Sequence, residues 1–253
     1  MNQPQPSSLA LAERLGVTAA LVHIAQRTQI SPNVVELVLS GASALGGEPG
    51  NDIMVLISEV GEAPARRRYS VRSCDPLTDT LRLWISTGHD GPGSRWAQNA
   101  SLGSTVDVVG PRGKITLDPL ADWYLFVGDT TGLASFYRMA ESIEVPGQAI
   151  FIVELDDMAD ALTTSFNPGL GVTGIFVERQ GREHHDPSGL LRGLSAFDFP
   201  PHQGQAYVFA EFNVMKAVEM TLRDRGLPPE HIATKAFYRT GRANAANGEP
   251  ERD

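Results

Sequence analysis

The pattern of apolar residues changes character once, near Asp118-Pro119, and that change limits the fold of this chain more than any other feature. Before it, apolar residues come in short or alternating runs at 21–24, 34–39, 52–57, 81–86 and 105–109. Gly/Pro/Ser clusters such as Gly46-Gly47-Glu48-Pro49-Gly50 separate them. With the arginine-rich segment 66–72 they make six short strands and no long helix, the pattern of a small antiparallel barrel. After the change, continuous apolar runs at 123–127, 149–153, 172–177 and 207–210 read as strands buried on both faces. A helical segment at 134–142 and a polar connection at 179–204, with room for one short helix, lie between them. A helix at 212–225 carries Phe212, Met215, Val218 and Leu222 on one stripe. Strands alternating with helices indicate a parallel α/β sheet.

The expected fold is therefore a six-stranded antiparallel β-barrel followed by a parallel α/β domain. Residues 1–16 read as an N-terminal tail with a short amphipathic turn, 17–117 as the barrel, 118–241 as the α/β domain and 242–253 as a disordered tail. Two such domains could hold one cofactor on the barrel and another at the carboxyl ends of the sheet strands.

Composition removes several classes of function. The formal net charge of -9 argues against nucleic acid as the main partner. No apolar run is long enough to cross a bilayer, and the N-terminus lacks a basic start and a signal-type apolar core. A cytoplasmic protein is the expectation. Cys74 is the only cysteine, which excludes an intrachain disulfide and an iron–sulfur cluster held by this chain's cysteines alone. His184-His185 beside Asp186 reads as a surface loop rather than a metal site, so no protein-bound metal is expected.

Against that acidic background, Arg66-Arg67-Arg68-Tyr69-Ser70-Val71-Arg72 reverses the local sign. Like charges repel unless an anion sits among them, and the planar guanidinium suits a diphosphate. A tyrosine and a serine beside it could meet a flat heterocycle and its polar edge. Two readings stay open here: a dinucleotide site, flavin ahead of nicotinamide, or an exposed basic strand. The loop His89-Asp90-Gly91-Pro92-Gly93-Ser94-Arg95-Trp96-Ala97 runs into a helix start, with Ser94 as N-cap. Free N–H groups at such a start bind anions; an ordinary Gly-Pro turn is the other reading. Gly128-Asp129-Thr130-Thr131-Gly132 follows a buried strand, where a nucleotide would meet the sheet, or is a plain capped turn. Phe237-Tyr238-Arg239-Thr240-Gly241 could cover a flavin face, bind an anionic substrate or simply end the last strand.

In this order, the stretches resemble the siderophore-interacting protein family, FAD-containing ferric-siderophore reductases with ferredoxin–NADP reductase-like architecture. Arg67, Tyr69, Ser70 and Arg72 match its Arg-x-Tyr-Thr/Ser-x-Arg. His89, Gly91, Pro92, Ser94, Trp96 and Ala97 match its His-Gly/Asp-x-Gly-Pro-Ala-Ser-x-Trp-Ala loop, with Gly93 in place of the Ala. Gly110-Pro111-Arg112-Gly113 and the 122–129 segment also match. The resemblance implies that Arg67, Tyr69, Ser70, Val71 and Arg72 hold FAD, with His89, Gly91, Pro92, Gly93, Ser94 and Trp96 on its diphosphate and ribityl side. It implies NAD(P)H at Asp129, Thr130 and Thr131. Hydride would pass from NAD(P)H to FAD, and single electrons to a ferric siderophore.

The matching segment in the family is Gly-Asp-Glu-Thr-Ala-Leu-Pro-Ala-Ile, whereas this chain has Thr130 for the Glu and no Pro between Leu133 and Phe136. An alternative is accordingly an FAD-binding enzyme of small-molecule biosynthesis, with a structural flavin and a degenerate NAD(P)H site. An anionic chelate would meet basic groups, for which Arg66, Lys235, Arg239 and Arg242 are candidates, with Tyr238 beside them. Arg179 and Arg182 are candidates for the 2′-phosphate of NADPH.

Overall fold

The computed structural model describes residues 3–58, 64–145, 148–162 and 173–241. The chain divides into two compact units, Met1–Thr116 and Leu117–Asp253. Among the described residues, no helix is long and apolar enough to cross a membrane. Val172, Arg242 and the expected tail 242–253 lie outside the described residues.

The first unit is a closed antiparallel barrel of β1 (Thr18–Ser31), β2 (Val34–Ser40), β3 (Asp52–Ile57), β4 (Ala65–Asp75), β5 (Thr80–Ser86) and β6 (Thr105–Arg112), in the order β1-β2-β5-β4-β3-β6. Alternation decides what each residue faces. Val22, Ile24, Leu37, Leu39, Ile53, Val55, Val71, Leu81, Leu83 and Val108 fill the interior. One short helix, α2 (Pro92–Asn99), follows β5 and adds Ala97 to that core.

The segment expected as a tail contains a ten-residue helix, α1 (Pro6–Leu15). Gly16 ends it in the left-handed conformation, φ 65°, which glycine adopts without Cβ strain. Its Ala12, with Leu11 and Leu15, packs on Met54 and Val109 of the barrel. Arg66 reaches the hydroxyls of Ser7 and Ser8 at 3.1 and 3.2 Å. The sequence conceals this helix because its apolar stripe is short and its first turn carries Pro6 and two serines, which read as loop.

The second unit is a five-stranded parallel sheet in the order β11-β10-β7-β8-β9, formed by β7 (Trp123–Asp129), β8 (Ala149–Leu155), β9 (Thr173–Glu178), β10 (Gly204–Glu211) and β11 (Ile232–Tyr238). Alternate residues supply its two faces. Leu125, Val127, Ile150, Ile152, Val208 and Ala210 pack under α4 (Ser188–Ser195) and α5 (Phe212–Asp224). Phe126, Phe151, Tyr207 and Phe209 form an aromatic cluster on the other face with Phe136 of α3 (Leu133–Ala140). Helices on both faces make the sheet doubly wound, and the chain order reverses between β7 and β10. The barrel-plus-parallel-sheet expectation holds. β11 is the addition: the sequence reading names 237–241 only as a possible strand end, because Lys235 and Thr234 interrupt the apolar pattern.

Candidate functional site

In the barrel the four arginines do not surround one point. The pleat separates them. Arg68 makes a bidentate pair with the fully buried Asp52 at 2.5 and 3.0 Å. Arg72 is 7% exposed and lies 4.6 Å from the centre of the Trp84 ring. Trp84 alternates with core residues Leu83 and Ile85, so Arg72 faces away from the barrel interior. Arg66 is tied to α1. The like charges are thus relieved by alternation and by separate partners, and no shared anion is required to explain them. Only Arg67 shares a face with Tyr69 and Val71. Val71 is a core residue, and its N–H donates to the Asn51 carbonyl at 3.1 Å, so its side chain is no ligand.

Tyr69 stacks on Trp96 of α2 with ring centres 5.7 Å apart and planes 22° apart. Its ring is only partly buried, but its phenol oxygen is enclosed and has no hydrogen-bond partner among the described residues. The Ser70 hydroxyl, 4% exposed as a residue, is also unpartnered. Burial pushes the Tyr69 phenol well above the ordinary range, with the Arg67 charge pulling the other way. The phenol is therefore a donor.

The start of α2 closes on this pair. A β-carbon at Gly93 would lie 2.8 Å from the Tyr69 oxygen and 3.9 Å from Arg67 Cγ. The N-cap is Gly91 rather than Ser94, and no side chain caps the helix. Ser94 sits one turn inside, and its hydroxyl donates to the Ser86 carbonyl at 3.2 Å, tying α2 to β5. Pro92 occupies the first turn, where a missing N–H costs nothing. The N–H groups of Gly93 and Ser94 precede the first intrahelical bond and remain available to an anion. His89 lies beside Gly91, with Cδ2 3.9 Å from where a β-carbon there would be. Arg67, Tyr69, Gly93, Ser94 and Trp96 are brought together, while the pleat turns Ser70, next in β4, to the opposite face. An orphaned phenol, a guanidinium on the same face and uncapped N–H groups beside them suit a flavin dinucleotide.

In the second unit the carboxyl ends of the strands gather polar side chains. Asp129, at the end of β7, is 4% exposed. It accepts from the Thr131 N–H at 2.9 Å and from the Thr131 hydroxyl, from the Glu211 N–H at 3.3 Å and from the Tyr238 hydroxyl at 3.2 Å. Burial first, and then the Asp129 carboxylate, push the Tyr238 phenol up, so it stays protonated and donates. His184 Nδ1 lies 3.4 Å from the same hydroxyl. Thr130 is buried with its hydroxyl unpartnered among the described residues. Gly128 is required by packing, because a β-carbon there would lie 1.9 Å from the Phe209 carbonyl oxygen.

Of the acids at this edge, sequence reasoning pairs Ala210-Glu211 with the 237–241 stretch and leaves out Glu154 and Asp156. Glu211, fully buried, caps α5 by accepting from the Asn213 and Val214 N–H groups at 2.5 and 3.3 Å, and accepts from the Thr240 N–H at 3.0 Å. Glu154 and Asp156 are paired with Arg179 and Arg182. Each acid ends or follows an apolar run, and that position was the available signal. The substrate candidates scatter. Lys235 is 4% exposed, its Nζ 5.3 and 5.9 Å from the Phe237 and Phe209 ring centres, rather than at an open site. Tyr238 belongs to the Asp129 cluster, and the Arg239 guanidinium lies over the Phe212 ring at 4.5 Å, partly exposed.

A barrel and a doubly wound parallel sheet in this order are the two folds of ferredoxin–NADP reductase-type flavoproteins. Family models define the chain more closely. Residues 48–115 match the siderophore-interacting FAD-binding domain, and residues 121–241 match the siderophore-interacting protein model. The chain belongs to the siderophore-interacting protein family, and its barrel is an FAD-binding domain.

The electron transfer subunit of a dihydroorotate dehydrogenase B (NAD(+)) of Listeria monocytogenes is 30% identical over 133 residues, 51% of each chain. Ferric vibriobactin reductase ViuB of Vibrio cholerae is 24% identical over 162 residues, 55% of this chain and 60% of that protein. The matches thus span about half of these relatives' length. A siderophore utilization protein from T. fusca has the same fold, with a TM-score of 0.76 and 24% identity over 90% of this chain and 95% of that one. The second-unit model runs through the 130–136 segment, so its departures from the family pattern leave the family assignment intact.

Proposed function

We propose that this protein is an FAD-dependent oxidoreductase that takes hydride from a nicotinamide dinucleotide and reduces a ferric siderophore. The orphaned Tyr69 hydroxyl beside the uncapped start of α2 carries this reading, with the buried, unpartnered Ser70 hydroxyl next in the strand. They are buried polar groups that a bound flavin would satisfy, and each unsatisfied one costs about 1–3 kcal/mol otherwise. Arg67, Tyr69 and Ser70 hold the flavin and its phosphates, the Gly93 and Ser94 N–H groups take diphosphate oxygens, and Trp96 backs the Tyr69 ring. Bound FAD supplies the capacity to accept a hydride and give up single electrons. In the sheet, the turn at Asp129, Thr130 and Thr131 receives the dinucleotide. Residues 17–117 serve as the flavin domain and 118–241 as the dinucleotide domain.

The ferric chelate is substrate, and its iron stays on the chelator until reduction weakens the complex. Arg239 is the partly exposed cation of the candidate set suited to an anionic chelate, since Arg66 and Lys235 are engaged elsewhere. The names of the Vibrio reductase and the Listeria subunit support a redox role. A cytoplasmic location, where reduced nicotinamide dinucleotides are found, belongs to the same reading. A biosynthetic enzyme with a structural flavin is not favoured, because both units retain the family's match.

The deciding experiment is anaerobic mixing of the FAD-loaded protein with NADH and, separately, NADPH, following the flavin's visible absorbance. Bleaching by either, and recovery on adding a ferric siderophore, is the expected result. Flavin that stays oxidised with both would refute the nicotinamide step.

A further inference from the structure

The carboxyl ends of β8 and β9 hold four charged side chains that the turn after β7 does not use. Glu154 is the penultimate residue of β8 and Asp156 lies just past it; Arg179 and Arg182 follow β9. Arg179 is 5% exposed; it forms an ion pair with Glu154 at 2.7 Å and donates to Asp156 Oδ1 at 2.6 Å. Arg182 donates to the other Glu154 oxygen at 2.8 Å and to the Glu178 carbonyl at 2.8 Å. Gly189 of α4 leaves space for this quartet, since a β-carbon there would lie 1.9 Å from Glu154 Oε1.

β7, β8 and β9 are the first, second and third strands of the sheet in chain order, side by side. In the dinucleotide-binding form of the doubly wound sheet the pyrophosphate sits at the helix start after the first strand, and an acid some way further on takes the adenosine ribose 2′-hydroxyl. The choice between the two nicotinamide dinucleotides is then a choice of charge. An acid there accepts from the ribose 2′-hydroxyl, while a 2′-phosphate needs an uncommitted cation. Here two guanidinium groups face two carboxylates, and the quartet sums to zero. Arg182 is as exposed as Asp156, at 18% of each side chain, but Glu154 meets its charge. Asp156 gives one oxygen to Arg179, and its Oδ2 accepts no hydrogen bond among the described residues. That oxygen is a ready acceptor for a hydroxyl and repels a phosphate.

We propose that this chain selects NADH over NADPH, with Asp156 reading the 2′-hydroxyl of the adenosine ribose and Arg179 positioning Asp156. The proposal rests on the reading above, that a nicotinamide dinucleotide docks on this sheet. Burial works against the Arg179 charge, and Glu154 and Asp156 outweigh it, so the guanidinium remains charged and holds its place.

The test is calorimetric titration of the full, FAD-loaded chain with NAD+ and with NADP+, which requires no turnover. NAD+ should bind about tenfold or more tightly than NADP+, the size expected of a like-charge clash. Equal or tighter NADP+ binding overturns the proposal while leaving the nicotinamide reading standing. Binding of neither, by a chain that retains FAD, overturns both. Asp156→Ser removes the acceptor and leaves the cluster with one positive charge in excess, which should shift the NAD+/NADP+ affinity ratio about tenfold toward NADP+. An unchanged ratio in a folded variant would remove Asp156 from the role. Should that variant not fold, competition of AMP against 2′,5′-ADP, which differs from it only by the 2′-phosphate, decides the preference on the natural chain, with AMP expected to compete better and 2′,5′-ADP doing so if the proposal is wrong.

Discussion

A β-carbon on Gly93 would lie 2.8 Å from the phenol oxygen of Tyr69. That approach is closer than side chains tolerate, and the Tyr69 ring is already stacked on Trp96. Gly93→Ala should therefore displace the phenol and weaken FAD binding about tenfold, with a change in stability of no more than about 1 kcal/mol. Titration of the apoprotein with FAD, read by quenching of flavin fluorescence, together with urea unfolding, measures both. An alanine variant that binds FAD as well as the natural chain would show that Tyr69 does not face the flavin.

Tyr69→Phe separates ligand binding from packing. In the apoprotein the hydroxyl is enclosed and unpartnered. Its removal should leave the apoprotein equally stable or more stable by up to about 1 kcal/mol, and reduce FAD affinity by the value of one hydrogen bond, about 1 kcal/mol. Loss of apoprotein stability on this substitution would indicate a partner for the hydroxyl within the barrel.

Arg68 has a different task from Arg67 although the two are adjacent. Its bidentate pair with the fully buried Asp52 joins β4 to β3. Arg68→Ala should cost about 2–4 kcal/mol by stranding a buried carboxylate. The low end is reasonable because the Arg68 side chain is 25% exposed. Chemical denaturation of the isolated variant tests this, and FAD affinity should fall only as far as unfolding demands.

Glu211→Ala removes the acceptor of three N–H groups, those of Asn213, Val214 and Thr240. Loss of the α5 cap alone is worth about 1 kcal/mol. The expected total is about 2–3 kcal/mol, with increased amide exchange at Asn213, Val214 and Thr240. Exchange at natural rates there would contradict the capping role.

Acid should loosen the hairpin between β4 and β5. Asp79 is held below the usual carboxylate range by the Ser43 hydroxyl and N–H, and Asp75 by the Thr78 hydroxyl and the Leu77 N–H. Depressed acids stabilise the fold fully above the unfolded pKa of about 3.9, and that contribution disappears as pH falls below it. Replacing both by Asn should narrow the difference in melting temperature between pH 7 and pH 3. A difference as wide as that of the natural chain would assign the acid sensitivity to other groups.

Local pattern made both folds legible, because alternation and continuous apolar runs report directly on which faces of a strand are buried. The change at Asp118-Pro119, the six barrel strands and the α5 stripe all belong to that class. So do the glycine-proline loop before Trp96 and the Tyr69-Ser70 pair, whose types and spacing carried the family resemblance. Partnership is a different matter, since it depends on residues far apart in the chain. Sequence alone could not tell that Arg68 belongs to Asp52 and Arg72 to Trp84, leaving Arg67 with Tyr69, because the strand pleat and the barrel register decide it. Nor could it join Asp129 to Tyr238, or Arg179 to Glu154 and Asp156, across parallel strands. Composition and periodicity determine what must be buried; which group meets each buried ion, as Arg68 meets Asp52 at 2.5 and 3.0 Å, is decided only by tertiary packing.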